Sequence, residues 1–231
     1  MWDPDGAGPL VPRLVGAGDF QTLGNIVSLD PGTGDWLTLA NGIGFVAERI
    51  EAVAALPGGD LVAAGYFEAT AGRRRIARWN GTQWLALASG LGPQFIGSNS
   101  SVRALTILAN GDLVAAGWIP TASGVTVNHI ARWDGVAWSA LGSGMNGWVD
   151  SLTTMANGDV IAGGTFTSAG GVSTTGLARR DGSVWSAIAS GASVNAQTVT
   201  ALSGGGGGLI VAGDATNNAM LRIEHWDGSA W

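Results

Sequence analysis

One nonapeptide, IARWDGVAW at 130–138, recurs along the chain and limits what the chain can fold into. IARWNGTQW spans 76–84, LARRDGSVW 177–185 and IEHWDGSAW 223–231, with a looser copy, IVSLDPGTGDW, at 26–36. A second piece precedes each copy: LVGAG ending at Gly18, LVAAG ending at Gly65 and at Gly117, VIAGG ending at Gly164, and LIVAG ending at Gly213. These glycines lie 47, 52, 47 and 49 residues apart. A third piece, such as VRALTILANGD at 102–112 or VDSLTTMANGD at 149–159, comes before most of them. Self-similarity at this period marks a repeat architecture, in which each unit buries its apolar surface against the next.

Each unit reads as four short strands. The apolar runs are bounded by Asn-Gly, Asp-Gly or Gly-Gly, and none holds a helical period long enough to compete. A two-residue hairpin at Asn110-Gly111 or Asn157-Gly158, with Gly58-Gly59 as a variant, joins the first strand to the second. A longer loop leads to the third strand. Asp134-Gly135 and its equivalents Asn80-Gly81, Asp181-Gly182 and Asp227-Gly228 then turn the chain into a fourth strand. A four-stranded meander of about 47 residues, repeated, is one blade of a β-propeller. The sequence therefore predicts an all-β fold, a five-bladed β-propeller of four-stranded antiparallel blades. It forms one domain over 1–231, with units at about 1–40, 41–89, 90–142, 143–190 and 191–231. An open β-solenoid fits less well, because solenoid coils are parallel and these strands are joined by hairpins. The chain starts and stops partway through a unit. It reads as a segment of a longer protein, or as one whose unpaired terminal strands associate with a second copy.

The closing tryptophans Trp36, Trp84, Trp138, Trp185 and Trp231 are expected to pack between blades. A two-residue Asp-Gly turn would pair Trp133 with Val136 and set Trp138 across Ala131. It would likewise place Ala77 opposite Trp84 and Ala178 opposite Trp185. A charge regularity accompanies them. The second strand begins with Asp60, Asp112 or Asp159 in the same three units whose third strand carries Arg78, Arg132 or Arg179. Antiparallel pairing sets the start of one strand beside the end of the other. Three structural ion pairs follow: Asp60–Arg78, Asp112–Arg132 and Asp159–Arg179, worth ~0–1 kcal/mol each if exposed.

The chain carries a net charge of −6 and no basic stripe, so no nucleic-acid partner is expected. The one basic run, Arg73 to Arg75, sits beside a glycine and reads as a solvated loop. No apolar run approaches the ~20 residues of a membrane helix, so no membrane insertion is expected. The opening MWDPDGAGP lacks the basic-then-apolar pattern of a signal peptide. Cysteine and lysine are both absent. That removes disulfides, thiolate nucleophiles, cysteine-ligated metals and Schiff bases. His129 and His225 occupy different repeat positions, so a shared metal is not expected, and no cofactor is either.

A glycine-ended second strand, an apolar–Asp turn and then a tryptophan resemble the kelch, or galactose-oxidase-type, propeller repeat. IVSLDPGTGDWLTLANG at 26–42 is close to its usual form, although glycine doubling is complete only at Gly163-Gly164. The ARWDG..W..LGSGM units are similar to repeats of large secreted bacterial surface proteins, which implies an extracellular or cell-surface location. The longer period and the missing Gly-His pair set the chain apart from WD repeats. The copper chemistry known in the kelch group uses a cysteine-linked tyrosine, which a chain with Tyr66 alone and no cysteine does not have.

Propeller ligands sit over the central channel, at the face carrying the loops after the second and fourth strands. Two sets of residues that the repeat does not dictate fall there. Asp19, Tyr66, Trp118, Thr165 and Asp214 follow the second strand; Glu51, Arg103, Asp150 and Thr200 lie near the start of the first. Tyr66 and Trp118 offer stacking platforms. The resulting reading is a non-catalytic scaffold that binds a protein or a glycan at this face. One alternative is a glycoside hydrolase or lyase using channel-mouth carboxylates, with Glu51 and Asp150 as the pair. The other is a set of spacer repeats in a surface protein.

Overall fold

The computed structural model describes residues 13–18, 26–39, 49–68, 74–92, 100–188, 194–202, 208–215, 218–227 and 229–231. Within them each repeat unit forms its own antiparallel meander. The first sheet holds β1 (Val15–Ala17), β2 (Ile26–Leu29) and β3 (Trp36–Thr38). The second holds β4 (Arg49–Ala55), β5 (Leu61–Glu68), β6 (Arg74–Trp79) and β7 (Trp84–Ala86). The third holds β8 (Val102–Ile107) and β9 (Leu113–Gly117), then, after a small hairpin of β10 (Thr121–Ala122) and β11 (Val125–Thr126), β12 (Ile130–Trp133) and β13 (Trp138–Ala140). The fourth repeats this plan with β14 (Val149–Thr154), β15 (Val160–Gly164), the hairpin β16 (Ser168–Ala169) and β17 (Val172–Ser173), β18 (Leu177–Arg180) and β19 (Trp185–Ala187). The fifth holds β20 (Val194–Ala201), β21 (Leu209–Ala215) and β22 (Asn218–Trp226). Among the described residues no helix is long and apolar enough to cross a membrane.

The second strands are apolar on both faces because neighbouring sheets cover both. Successive side chains of a strand point to opposite sides. In β9, Leu113 and Ala115 pack with Val62, Ala64 and Ile76 of the sheet before. Val114 and Ala116 pack with Val160, Ala162 and Ala178 of the sheet after. β5 divides the same way: Leu61 and Ala63 face the first sheet, Val62 and Ala64 the third. The first strands β4, β8, β14 and β20 run side by side through the series. Thr106 and Thr154 tie β8 to β14 through their hydroxyls at 2.8 Å.

The two tryptophans of a repeat meet each other directly. Trp133 pairs with Trp138 and Trp79 with Trp84, while Ala131 faces Ala140, Ala77 faces Ala86 and Ala178 faces Ala187. The expected alanine–tryptophan pairs are therefore wrong, because the turn has four residues rather than two. The Asp134 carboxylate causes this. It accepts the N–H groups of Val136 and Ala137 at 2.9 and 2.8 Å, which closes a loop over 134–137 with Gly135 at φ 97°. The paired rings tilt against each other at 5.4 Å for Trp79–Trp84 and 5.3 Å for Trp133–Trp138. Three of the closing tryptophans then reach back one sheet. The indole N–H of Trp84 donates to the Leu39 carbonyl at 3.2 Å, that of Trp138 to Leu87 at 3.2 Å, and that of Trp185 to Leu141 at 2.9 Å. These three rings are buried between sheets as expected. Trp36, on the first sheet, is exposed instead, and Trp231 is half-buried.

The turn between first and second strands also departs from expectation. Leu56, Leu108 and Met155 donate their N–H groups to the carbonyls of Asp60, Asp112 and Asp159, so three residues form each loop. Side chains define it: Asn110 donates to the Asp112 carboxylate at 2.7 Å and Asn157 to Asp159 at 2.8 Å. The three inferred ion pairs are all present. Arg78 meets Asp60 at 2.6 Å, Arg132 meets Asp112 at 2.5 Å and Arg179 meets Asp159 at 2.5 Å. Arg75, read as part of a solvated loop, is buried. Its guanidinium donates to the carbonyls of Ser100 and Leu91 at 2.8 and 3.2 Å, binding its sheet to the following chain segment.

Candidate functional site

Each first strand from β4 onward carries one residue too many for its neighbour. Pairing slips between Ile50 and Ala52, Val102 and Ala104, Val149 and Ser151, and Ala196 and Thr198. The extra residues are Glu51, Arg103, Asp150 and Gln197. A bulge of this kind bends the strand and re-aims the side chain at it. The glycine ending each second strand makes the bulge fit. A Cβ on Gly117 would stand 2.1 Å from the Ser101 carbonyl oxygen, and one on Gly164 2.1 Å from that of Trp148. The N–H groups of Trp118 and Thr165 donate to those same carbonyls at 2.9 and 3.0 Å. Bulge, glycine and the residue after the glycine thus form one backbone unit at the mouth of each sheet.

The side chains on this frame connect across sheets. Glu51 accepts from the guanidinium of Arg49 and from the hydroxyl of Ser101 in the next unit. Arg103 pairs with Asp150 on the neighbouring first strand. The Arg103 guanidinium also lies over Trp148, 4.0 Å from the ring centroid, a favourable place for a cation. Trp148 stacks with Trp118 at 5.2 Å and 28°, and Trp118 with His129 at 4.2 Å and 22°. His129 has a left-handed backbone, φ 74°, just before β12. Burial pushes its imidazole below the ordinary histidine range, so the ring in the stack is neutral at pH 7.

The row His129, Trp118, Trp148, Arg103, Asp150 is therefore a continuous run of ring, cation and carboxylate. It offers flat aromatic surface beside hydrogen-bonding groups of both signs. Both carboxylate side chains are largely buried and engaged by a guanidinium, Glu51 by Arg49 and Asp150 by Arg103.

Of the residues expected at this face, Glu51, Arg103 and Asp150 occupy the bulges, and Trp118 stands in the stack. Tyr66 pairs with Arg49 at the same rim and is exposed, as is Thr165. Thr200 does not belong to the row. It pairs with Ile210 farther along β20, and Gln197 holds the bulge position. The cause is the turn after β20. Leu202 bonds to the Gly208 carbonyl across five intervening residues rather than three, so counting back from Gly213 by the spacing of the other units stops short of Gln197. Asp19 lies outside the described residues. Asp214 pairs in β21 with Asn195 and Leu221, and its side chain lies outside what is described. Sequence reasoning missed Trp148, Ser101, Arg49 and His129. A signal existed for the first three, which share the position just before the buried Val149, Val102 and Ile50.

No family model and no curated protein matches the chain. Solved structures do. The extracellular domain of a protein described as a hybrid two-component system from B. thetaiotaomicron aligns over 94% of this chain and 28% of that one, with a TM-score of 0.58 and 11% identity. A gluconolactonase from Xanthomonas campestris aligns over 87% of this chain and 65% of that one, with a TM-score of 0.52 and 15% identity. Another protein described as a gluconolactonase aligns over 92% of this chain and 70% of that one, again at a TM-score of 0.52 and 15% identity. The chain thus spans little more than a quarter of the length of the two-component-system domain. At such identities the likeness bears on fold alone. Taken with the five successive antiparallel sheets, it places the chain among the β-propeller folds.

Proposed function

We propose that the chain is a non-catalytic, kelch-type scaffold of five blades that binds a glycan or protein partner at the rim of Glu51, Tyr66, Arg103, Trp118, Trp148 and Asp150. The observation that carries this reading is Arg103. It sits at a bulge, pairs with Asp150 across the sheet boundary and lies 4.0 Å over Trp148. Such a group presents a rigid aromatic surface with hydrogen-bond donors and acceptors at its edge, the combination that recognises sugar rings and polar peptide segments alike. The rival is a glycoside hydrolase or lyase. A hydrolase needs one carboxyl free to hold and release a proton beside a second. The engagement of Glu51 by Arg49 and Ser101, and of Asp150 by Arg103, favours binding over that chemistry. An extracellular location accords with the two-component-system neighbour, which is itself an extracellular domain.

The test is a panel of neutral and acidic oligosaccharides, and of peptides, read by tryptophan emission and by calorimetry. A true ligand shifts the emission, and Trp148→Ala weakens it about tenfold or more, as loss of one stacking contact of ~1.4 kcal/mol would. Arg103→Ala should act in the same direction. Binding that ignores both substitutions moves the site elsewhere. No binding across the panel returns the chain to the spacer reading.

A further inference from the structure

Asn-Gly occurs five times in the chain, at 41–42, 80–81, 110–111, 146–147 and 157–158. Asparagine is chemically labile, and most so before glycine. Glycine has no Cβ to shield its nitrogen, so that nitrogen can reach the Cγ of the asparagine before it. Asn41 lies outside the described residues. The other four asparagines are all exposed, so exposure does not separate them. Their hydrogen bonds do.

Three of the four are locked. The Asn110 amide donates to the Asp112 carboxylate at 2.7 Å, and the Gly111 N–H donates to the Leu108 carbonyl at 2.9 Å. Asn157 and Gly158 repeat this with Asp159 at 2.8 Å and Met155 at 2.9 Å. The Asn146 amide is tied at both ends: it donates to the Thr167 hydroxyl at 2.9 Å and accepts the N–H groups of Thr167 and Ser168 at 2.8 Å each. Asn80 differs. Among the described residues its Nδ2 and the Gly81 N–H have no partner. Its Oδ1 accepts three donors, the Thr82 N–H at 3.1 Å, the Thr82 hydroxyl at 3.0 Å and the Gln83 N–H at 2.9 Å.

Three donors converging on a carbonyl oxygen stabilise negative charge as it develops there. The same nest elsewhere in the repeat holds a full charge. Asp181 Oδ1 accepts the N–H of Val184 and the N–H and hydroxyl of Ser183, all at 3.0 Å, and these bonds hold its carboxyl down to about 2. We propose that Asn80 is a self-modifying site, whose side-chain amide is converted to a carboxylate by its own turn. The Gly81 nitrogen gives its proton to water and bonds to Asn80 Cγ, and the charge of the tetrahedral intermediate rests on Oδ1 within the nest. Nδ2 takes a proton from water and leaves as ammonia, which closes a succinimide ring. Water then opens the ring at either carbonyl, to an aspartate or to its β-linked isomer. The aspartate is the residue that the repeat already carries at 134, 181 and 227, and it adds one negative charge to a chain at −6.

The full 231-residue chain is held in mildly alkaline buffer, folded or in urea, and sampled over time by peptide mass mapping, with Asn80→Asp as the standard for the product. In the folded chain Asn80 should convert faster than Asn110, Asn146 and Asn157. It should also convert faster than in urea, where the nest is gone. Thr82→Val removes one donor and should slow the folded rate about tenfold, less than the roughly hundredfold or more of a donor in a buried oxyanion site, because this turn is exposed. Thr82→Ser keeps the hydroxyl and should keep the rate. Circular dichroism checks that both variants are folded. Three results overturn the proposal. They are a folded chain in which Asn110, Asn146 or Asn157 converts as fast as Asn80, a folded rate at Asn80 no faster than that in urea, and a folded Thr82→Val chain whose rate equals that of wild type or of Thr82→Ser.

Discussion

Trp185 is the sharpest place to test how the sheets are held together. Its ring lies between the third and fourth sheets, 4% exposed, with its indole N–H 2.9 Å from the Leu141 carbonyl. The main chain closes on it from two sides: a Cβ added at Gly142 would lie 3.2 Å from the ring, and one at Gly170 2.7 Å from the tryptophan Cβ. So tight a site cannot collapse to fill a hole. Trp185→Ala should therefore sit at the upper end of the usual range for a buried aromatic, about 4–5 kcal/mol. Trp185→Phe keeps most of the apolar surface and removes the donor. The buried Leu141 carbonyl then loses that partner, for about 1–3 kcal/mol. Trp36→Ala is the internal control. It has the same residue type and repeat position but stands at an exposed face, and should cost about 1 kcal/mol or less.

Urea unfolding followed by far-UV circular dichroism measures all three. A repeat array is held by nearest-neighbour contacts, so weakening one boundary can uncouple the two sides of it. Trp185→Ala should then lower the midpoint and also broaden the transition, with β14–β22 melting apart from β1–β13. If Trp185→Ala and Trp36→Ala prove equally costly, the closing tryptophans do not act between sheets. If Trp185→Phe costs nothing, the indole hydrogen bond is incidental.

Three further outcomes follow from the same geometry. Gly117→Ala forces a Cβ to 2.1 Å from a backbone oxygen and should cost about 3 kcal/mol or more, whereas Gly135→Ala meets open space and pays only the left-handed backbone strain of about 1–2 kcal/mol; chemical denaturation separates them. The carboxylates of Asp181 and Asp227 are each held down to about 2 by backbone N–H donors, at Val184 and Ser183 and at Ala230 and Ser229. Their support for the fold is therefore full above the ordinary carboxylate range and fades as pH falls from near 4 to about 2. Asp181→Asn keeps the acceptor, as Asn80 does at the same position, and should flatten the melting temperature between those pH values while leaving it nearly unchanged at pH 7. Arg132→Ala should cost only about 0–1 kcal/mol in urea, because its side chain is well exposed and Asn110 still donates to Asp112.

The parts of this fold legible from sequence were those that follow from period and strand direction. The ion pairs Asp60–Arg78, Asp112–Arg132 and Asp159–Arg179 needed only antiparallel pairing, which a loop of any length preserves. Exact partners were not legible, because they depend on loop length. Two more residues in the Asp-Gly turn move Trp138 from Ala131 to Trp133, and those residues are recruited by a side-chain oxygen that the dipeptide signal does not count. Loop length also hid Gln197: the turn after β20 is two residues longer than its equivalents, which accounts for two of the three positions between Gln197 and Thr200. Arg75 misled for a different reason. It stands just before Ile76, as His129 stands before Ile130 and Gly176 before Leu177, and all three are left-handed at φ 60°, 74° and 85°; at Arg75 that backbone turn accompanies a buried side chain.

The candidate site was legible in part for a related reason. A repeat fixes the backbone at the bulge while leaving its side chain free to differ. Glu51, Arg103 and Asp150 announced themselves by breaking the pattern at a position where the main chain keeps it. Trp148 breaks it as well, one residue before the buried strand start, but in a chain with eleven tryptophans one more passed as packing. Its contact with Arg103 distinguishes it. A tryptophan that serves only to join sheets gives its N–H to the sheet before, as Trp84, Trp138 and Trp185 do. Trp148 instead takes a cation over its ring at the rim. On the proposed function, that difference in partner separates the tryptophans that hold sheets together from the one that would meet a ligand.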